Sequence, residues 1–192
     1  MRWAFFYILS LVVMPVLADF DEGIVAYQKG DYVSALREFN SSARLGNVAA
    51  QYNLGFMYAK GRGVEKNYSE AFFWFLRSAK NGDSESQYHL AGMYENGLGV
   101  AQDYYQAAKW YRKAAEQGEA HAQLTLGGLY GIGLGAPQSY KQAYAWFNLA
   151  AIQGNESAEQ GREVAIDAIP PQQIADAQAL SAIIAKKYLK RQ

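Results

Sequence analysis

Three tryptophans outside the N-terminal segment, Trp74, Trp110 and Trp146, are evenly spaced: 110 − 74 = 36 and 146 − 110 = 36. The same offset links Leu54, Leu90 and Leu126; Tyr58, Tyr94 and Tyr130; Gln51, Gln87 and Gln123; and Tyr68, Tyr104 and Tyr140. Ala35, Ala71, Ala107 and Ala143 keep it over four copies, as do Gly46, Gly82, Gly118 and Gly154. This period constrains the fold more than composition can. Each copy is one supersecondary unit that cannot bury its apolar face alone, so neighbours must stack.

The pattern inside a copy identifies that unit. In AQYNLGFMY, Ala50, Leu54 and Tyr58 fall at i, i+4 and i+8, one face of a first helix. AKGRGVEKN interrupts it with glycines, which reach φ > 0 without steric cost and stop a helix. YSEAFFWFLRSAKNG then puts Ala71, Phe75 and Ala79 on the apolar face of a second helix, which Gly82 ends. Ala71 and Ala79 are small so that the first helix can approach, while Trp74 and Phe75 fill the space towards the next copy. The pairs Gly61/Gly63, Gly97/Gly99 and Gly133/Gly135 raise another reading, a loop that cradles phosphate. Such a loop follows a strand and is needed once. Here a helical pattern precedes each pair and the pair recurs in three copies, so the glycines read as helix punctuation and no nucleotide cofactor is expected.

The motif A-x-x-x-L-G-x-x-Y-x-x-G-x-G-V, then Tyr, then A-x-x-W-[FY]-x-x-A-[AS]-x-x-G resembles the Sel1-like repeat (SLR), a relative of the tetratricopeptide helical repeats. It is nearly intact over 50–82 and 122–154; the middle copy, 86–118, substitutes Ser86 and Ala91. The resemblance implies an all-α, right-handed α-solenoid of antiparallel helix pairs with a C-terminal capping helix. The expected organisation is a signal segment 1–18, a tetratricopeptide-like hairpin 19–46, SLR units 47–82, 83–118 and 119–154, and a capping region 155–192. The hairpin keeps Tyr32, Ala35 and Phe39 but shortens its loop. In the capping region Arg162 stands where Leu126 predicts a leucine. A last helix follows the prolines, with a stripe of Ile174, Ala177, Leu180 (or Ser181) and Ile184. This closing segment resembles that of exported bacterial SLR proteins, which implies a bacterial envelope setting.

The N-terminus agrees with export. MRWAFFYILSLVVMPVLA carries one charge, Arg2, then an apolar run, then the small residues a signal peptidase reads, with cleavage expected after Ala18. The apolar run, 3–17, is short for a spanning helix, which needs about 20 residues; retention as an anchor is the alternative. The mature chain is therefore expected to be periplasmic or secreted, with no integral membrane span. It has no cysteine, so packing alone must hold it, and thiol chemistry and Cys-ligated metals are excluded. With 51% hydrophobic and 19% charged residues it is not a disordered chain. Eighteen basic residues balance 18 acidic ones, which argues against a nucleic-acid footprint; only KKYLKR near the C-terminus is locally basic.

Catalytic signals are sparse. His89 and His121 fall outside the recurring positions, and His121 is the equivalent of Glu85. These three side chains are one candidate metal or acid–base cluster; no paired-histidine motif supports it, and no metal is expected. Asp21, Glu22, Glu65, Asp103, Glu116 and Glu119 are expected at helix ends and in loops, where charge serves solvation. Specificity should lie at positions that vary between copies on the first helices, which the solenoid would turn to its concave face. The candidate partner-binding residues are Tyr52, Asn53, Phe56, Glu85, Tyr88, His89, His121 and Thr125, beside Ala49, Leu124, Gly92 and Gly128. Phe56, whose equivalents are glycines, is either an exposed anchor or packed against the N-terminal hairpin. The expected function is a non-enzymatic scaffold for a partner protein or peptide. Alternatives are a peptidoglycan- or polysaccharide-associated protein reading glycan with its aromatics, and, against the lack of cysteine, a hydrolase of the kind proposed for cysteine-rich SLR proteins.

Overall fold

The computed structural model describes residues 15–188, with side chains from Phe20 onward. Residues 1–14 of the expected signal, and Lys190 and Arg191 of the basic tail, lie outside the described residues. The described residues form α1 (Pro15–Gln28), α2 (Tyr32–Arg44), α3 (Val48–Lys60), α4 (Tyr68–Lys80), α5 (Ser84–Asn96), α6 (Tyr104–Glu116), α7 (Ala120–Ile132), α8 (Tyr140–Ile152), α9 (Glu156–Asp167) and α10 (Ile174–Tyr188), with no strand. Helices α3 to α8 are each 13 residues long and start in 36-residue register: Val48, Ser84 and Ala120 for the first helices, Tyr68, Tyr104 and Tyr140 for the second. The chain divides into two compact units, Met1–Trp74 and Phe75–Gln192, with the boundary inside α4.

Short polar residues start the helices and glycines end the first of each pair. Asn47, Asp83 and Glu119 cap α3, α5 and α7 by accepting from the backbone N–H of Ala50, Ser86 and Ala122. Gly61, Gly97 and Gly133 terminate the same helices at φ 68°, 66° and 73°, a region an L side chain avoids. The second glycine of the pair does something different. A Cβ on Gly135 would overlap the Tyr104 carbonyl at the start of α6, and one on Gly63 would overlap that of Tyr32 at the start of α2. The loop is thus pressed against the backbone of the preceding copy, so its glycines serve packing between copies.

Glutamines bind each first helix to the second helix before it. Gln51, Gln87 and Gln123, all buried, donate Nε2 at 3.1 Å to the carbonyls of Ala43, Ala79 and Ala115. Those carbonyls belong to the last turns of α2, α4 and α6, where each also accepts at 3.1 Å from the backbone N–H of Gly46, Gly82 or Gly118, so the glutamine fills the second lone pair. In the second unit Gln117 and Gln153 add a further link, donating at 2.7 Å to Oε1 of Gln87 and Gln123.

Each unit has its own core. In the first, α2 packs on α1 and α3, burying Ala35, Phe39, Ala43, Ala50, Leu54, Met57 and Trp74. In the second, α5 to α9 pack in sequence and α10 lies against α8. Trp146 and Tyr188 stack there at 5.9 Å. The stripe of α10 runs through Ala177, Ser181, Ile184 and Tyr188, so it takes Ser181 and leaves Leu180 and Ile174 at its margin. Ser181 faces Asn148, whose Nδ2 donates to its hydroxyl at 2.9 Å, and Arg162 donates to Asn148 Oδ1 at 3.1 Å. Arg162 thereby replaces the expected apolar contact with a polar one. Asp103 and Glu119 do sit at helix starts. Asp21 and Glu22 do not: α1 begins at Pro15, which places them mid-helix. The Ala18 cleavage point also falls within α1.

Candidate partner-binding surfaces

In the first unit the candidates Tyr52, Asn53 and Phe56 share α3, and all are half-buried. Asn53 spends its amide on the helix, donating to the Ala49 carbonyl at 2.9 Å. The rings of Tyr52 and Phe56 are 6.5 Å apart. Phe56 carries two cations over its face, Lys60 Nζ at 5.7 Å and the Arg62 guanidinium at 5.4 Å. Arg62 also lies 5.5 Å from the ring of Tyr27 on α1 and 5.6 Å from that of Tyr32 on α2, and it donates to the Tyr27 hydroxyl. Phe56 is therefore one wall of an aromatic cage filled by the chain's own arginine, which joins α1, α2 and α3. The equivalents of Arg62 are Leu98 and Leu134.

The second unit gathers rings from four helices. Phe75 of α4 stacks on His89 of α5 at 5.1 Å, with an interplanar angle of 22°. Tyr88 lies 5.6 Å from His89, 5.6 Å from Tyr111 of α6 and 6.1 Å from His121 of α7. Tyr88 thus contacts both imidazoles, which do not converge with Glu85 as a metal cluster would require. Among the described residues no three His, Cys, Asp or Glu side chains are grouped to hold a metal ion. Glu85 and His121 are exposed, while Tyr88, His89 and Thr125 are half-buried. Thr125 donates its hydroxyl to the His121 carbonyl at 2.9 Å.

Beneath Tyr88, the buried Tyr111 donates its hydroxyl to Glu95 Oε2 at 2.6 Å. Burial, and then this bond to a carboxylate, push the Tyr111 phenol above its ordinary range, so it stays a protonated donor. Tyr88 is raised by burial first, then by the carboxylates of Glu119 and Glu95. Helices α5 and α7 contribute Glu85 and Glu95 and no lysine or arginine, whereas α6 carries Lys109, Arg112 and Lys113. Gly92 and Gly128, the equivalents of Phe56, leave the surface open. A Cβ on Gly92 would meet only the Tyr111 hydroxyl, at 3.5 Å, and one on Gly128 would meet nothing within 4 Å.

Sequence reasoning missed Arg62, Tyr111 and Glu95. The signal for the last two lay in paired departures from the period. The Phe75 and Phe147 position becomes Tyr111, adding a hydroxyl, and the Ala59 and Gly131 position becomes Glu95 in the same copy.

Against known proteins, the family model of the Sel1 repeat matches residues 48–83, 84–119 and 120–155. Among solved structures, the chain is similar to a Sel1 repeat protein from Oxalobacter formigenes, with 33% identity and a TM-score of 0.74 over 88% of this chain and 70% of that one. It is also similar to a protective antigen of uropathogenic Escherichia coli with an SLR fold, at 30% identity and a TM-score of 0.63. That match covers 90% of this chain and 46% of the antigen, so the chain spans just under half of the antigen's length. Helicobacter pylori cysteine rich protein B, at 23% identity, a TM-score of 0.50, and 64% and 93% coverage, shares the fold alone. No curated protein sequence matches the chain.

Proposed function

We propose that this chain, which belongs to the Sel1 repeat family, is a non-enzymatic scaffold that binds a partner protein or peptide on the first-helix face of its second unit. Sel1 repeat proteins are generally protein-interaction scaffolds. The observation that carries the reading is the division of labour between positions. Residues that recur every 36 positions, such as Leu90, Ala107, Trp110 and Leu126, are buried. Positions that vary among the three copies on α5 and α7 bring the half-buried Tyr88 and His89 and the exposed His121 into ring contact. The period does not require these rings, and the fold keeps them at the surface. Large, half-buried aromatics of this kind supply contact area with few rotors to freeze, as binding anchors do. Export of the chain belongs to the same proposal, on the sequence of residues 1–18; no described helix is long and apolar enough to cross a membrane.

Site-specific photo-crosslinking tests the reading. A crosslinker replacing Thr125 on α7 is compared, in native envelope extract, with one replacing the exposed Lys109 on α6. The proposal expects a protein adduct at position 125 that Tyr88→Ala abolishes. Equal adducts from both positions, carbohydrate adducts alone, or no adduct would overturn it.

A further inference from the structure

We infer that the segment bound by the second unit is an extended peptide bearing arginine or lysine. This deepens the scaffold reading and rests on it. Three features of the α5/α7 face point to that chemistry.

The first is the run of rings. The half-buried His89 and Tyr88 and the exposed His121 contact one another in series across α5 and α7, with the buried Phe75 backing His89. A guanidinium is attracted electrostatically to an accessible tyrosine face such as that of Tyr88. The same chain shows the preference in its first unit, where Arg62 lies against Tyr27, Tyr32 and Phe56. The second is charge. Glu85 is exposed and stands one helical turn before Tyr88 and His89, on their side of α5. The carboxylates of Glu119 and Glu95 act on the Tyr88 hydroxyl. No lysine or arginine on α5 or α7 neutralises them. A partner cation placed on Tyr88 would meet both a π face and nearby carboxylates, whereas an acidic partner would meet like charge.

The third feature is Gly128. It lies inside α7, where glycine is a poor choice, and its neighbours do not demand it. Its neighbour Gly127 differs, since a Cβ there would strike Phe147 at 2.7 Å. At position 128 the space is open on the outer face, beside Leu124 and Thr125. That opening, with Gly92 at the equivalent place on α5, gives a partner backbone room to lie close to both helices.

The test uses the full chain and a fluorescein-labelled decapeptide of alternating arginine and glycine, read by anisotropy against the matching glutamate–glycine peptide. Saturable binding of the arginine peptide alone is expected, weakening as salt rises. Tyr88→Ala and Glu85→Lys should each weaken it by about tenfold. Gly128→Leu should weaken it at least as much without lowering the melting temperature, because the added side chain meets no neighbour in the folded chain; Lys109→Ala should leave it unchanged. Equal binding of the glutamate peptide, no saturable binding, or full binding by both Tyr88→Ala and Gly128→Leu would overturn the inference. A crosslinked partner whose contacting segment lacks arginine and lysine would overturn it while leaving the scaffold reading intact. Failure of crosslinking at position 125 would remove both.

Discussion

Glycine has two opposite meanings in this chain, and alanine substitution separates them. Gly135 has φ 71° and abuts the Tyr104 carbonyl. Gly135→Ala should cost more than about 2 kcal/mol, from the left-handed backbone plus the overlap. Gly128→Ala should instead stabilise by about 0.5–1 kcal/mol, because the helix gains propensity and nothing is displaced. Urea unfolding of the two variants checks both signs, and a destabilised Gly128→Ala would contradict the open geometry at that position. Tyr111 yields a prediction in pH. Its phenol is raised by burial and by Glu95, so above about pH 10 the unfolded chain loses this proton while the folded chain keeps it. The folded state then binds more protons than the unfolded one. Stability should be unaffected by this group below that pH and fall above it, by at most about 1.4 kcal/mol per pH unit. Tyr111→Phe should make the alkaline decline shallower; an unchanged slope in urea unfolding between pH 9 and 11 would contradict the burial of this hydroxyl.

At the scale of elements, the glutamine links set how firmly one copy holds the next. Gln123 donates to the Ala115 carbonyl and accepts from Gln153, so Gln123→Leu removes two bonds, although the Ala115 carbonyl keeps the Gly118 N–H and Gln153 keeps the Leu149 carbonyl. The substitution should cost about 1–3 kcal/mol. Gln51 makes the carbonyl bond alone and its Oε1 lacks a donor, so Gln51→Leu should cost less in the same measurement. Equal costs would show that the second bond is energetically silent. These elements also show what was legible beforehand. Helices α4, α6 and α8 could be read from Trp74, Trp110 and Trp146, because these buried positions recur under one packing rule and repetition exposes that rule. The second role of the glycine pair could not, since a loop sequence does not show which carbonyl lies opposite it. Ser181 was undecidable against Leu180 for a similar reason. Hydrophobicity favours the leucine, but Asn148 and Arg162 make a polar partner the better fit. The Arg62 cage and the Tyr111–Glu95 pair were hidden because each depends on side chains from different helices meeting once, with no repeat to reveal them.

For the whole molecule, formal neutrality (18 basic against 18 acidic residues) conceals local asymmetry. In the second unit, lysine and arginine are absent from α5 and α7 and present on α6. Composition argued against a broad basic footprint but carried no information about this division. The proposed export has its own outcome: intact mass of the protein from its native host should correspond to a chain beginning at Asp19. A mass retaining Met1 would contradict cleavage. Amide hydrogen exchange with and without the crosslinked partner reads whether the varying positions on the first helices of the second unit form the binding face. New protection is expected on α5 and α7, greatest from Tyr88 to Gly92 and from His121 to Gly128, with α6 and α8 unchanged. Protection confined to α6 and α8 would contradict it.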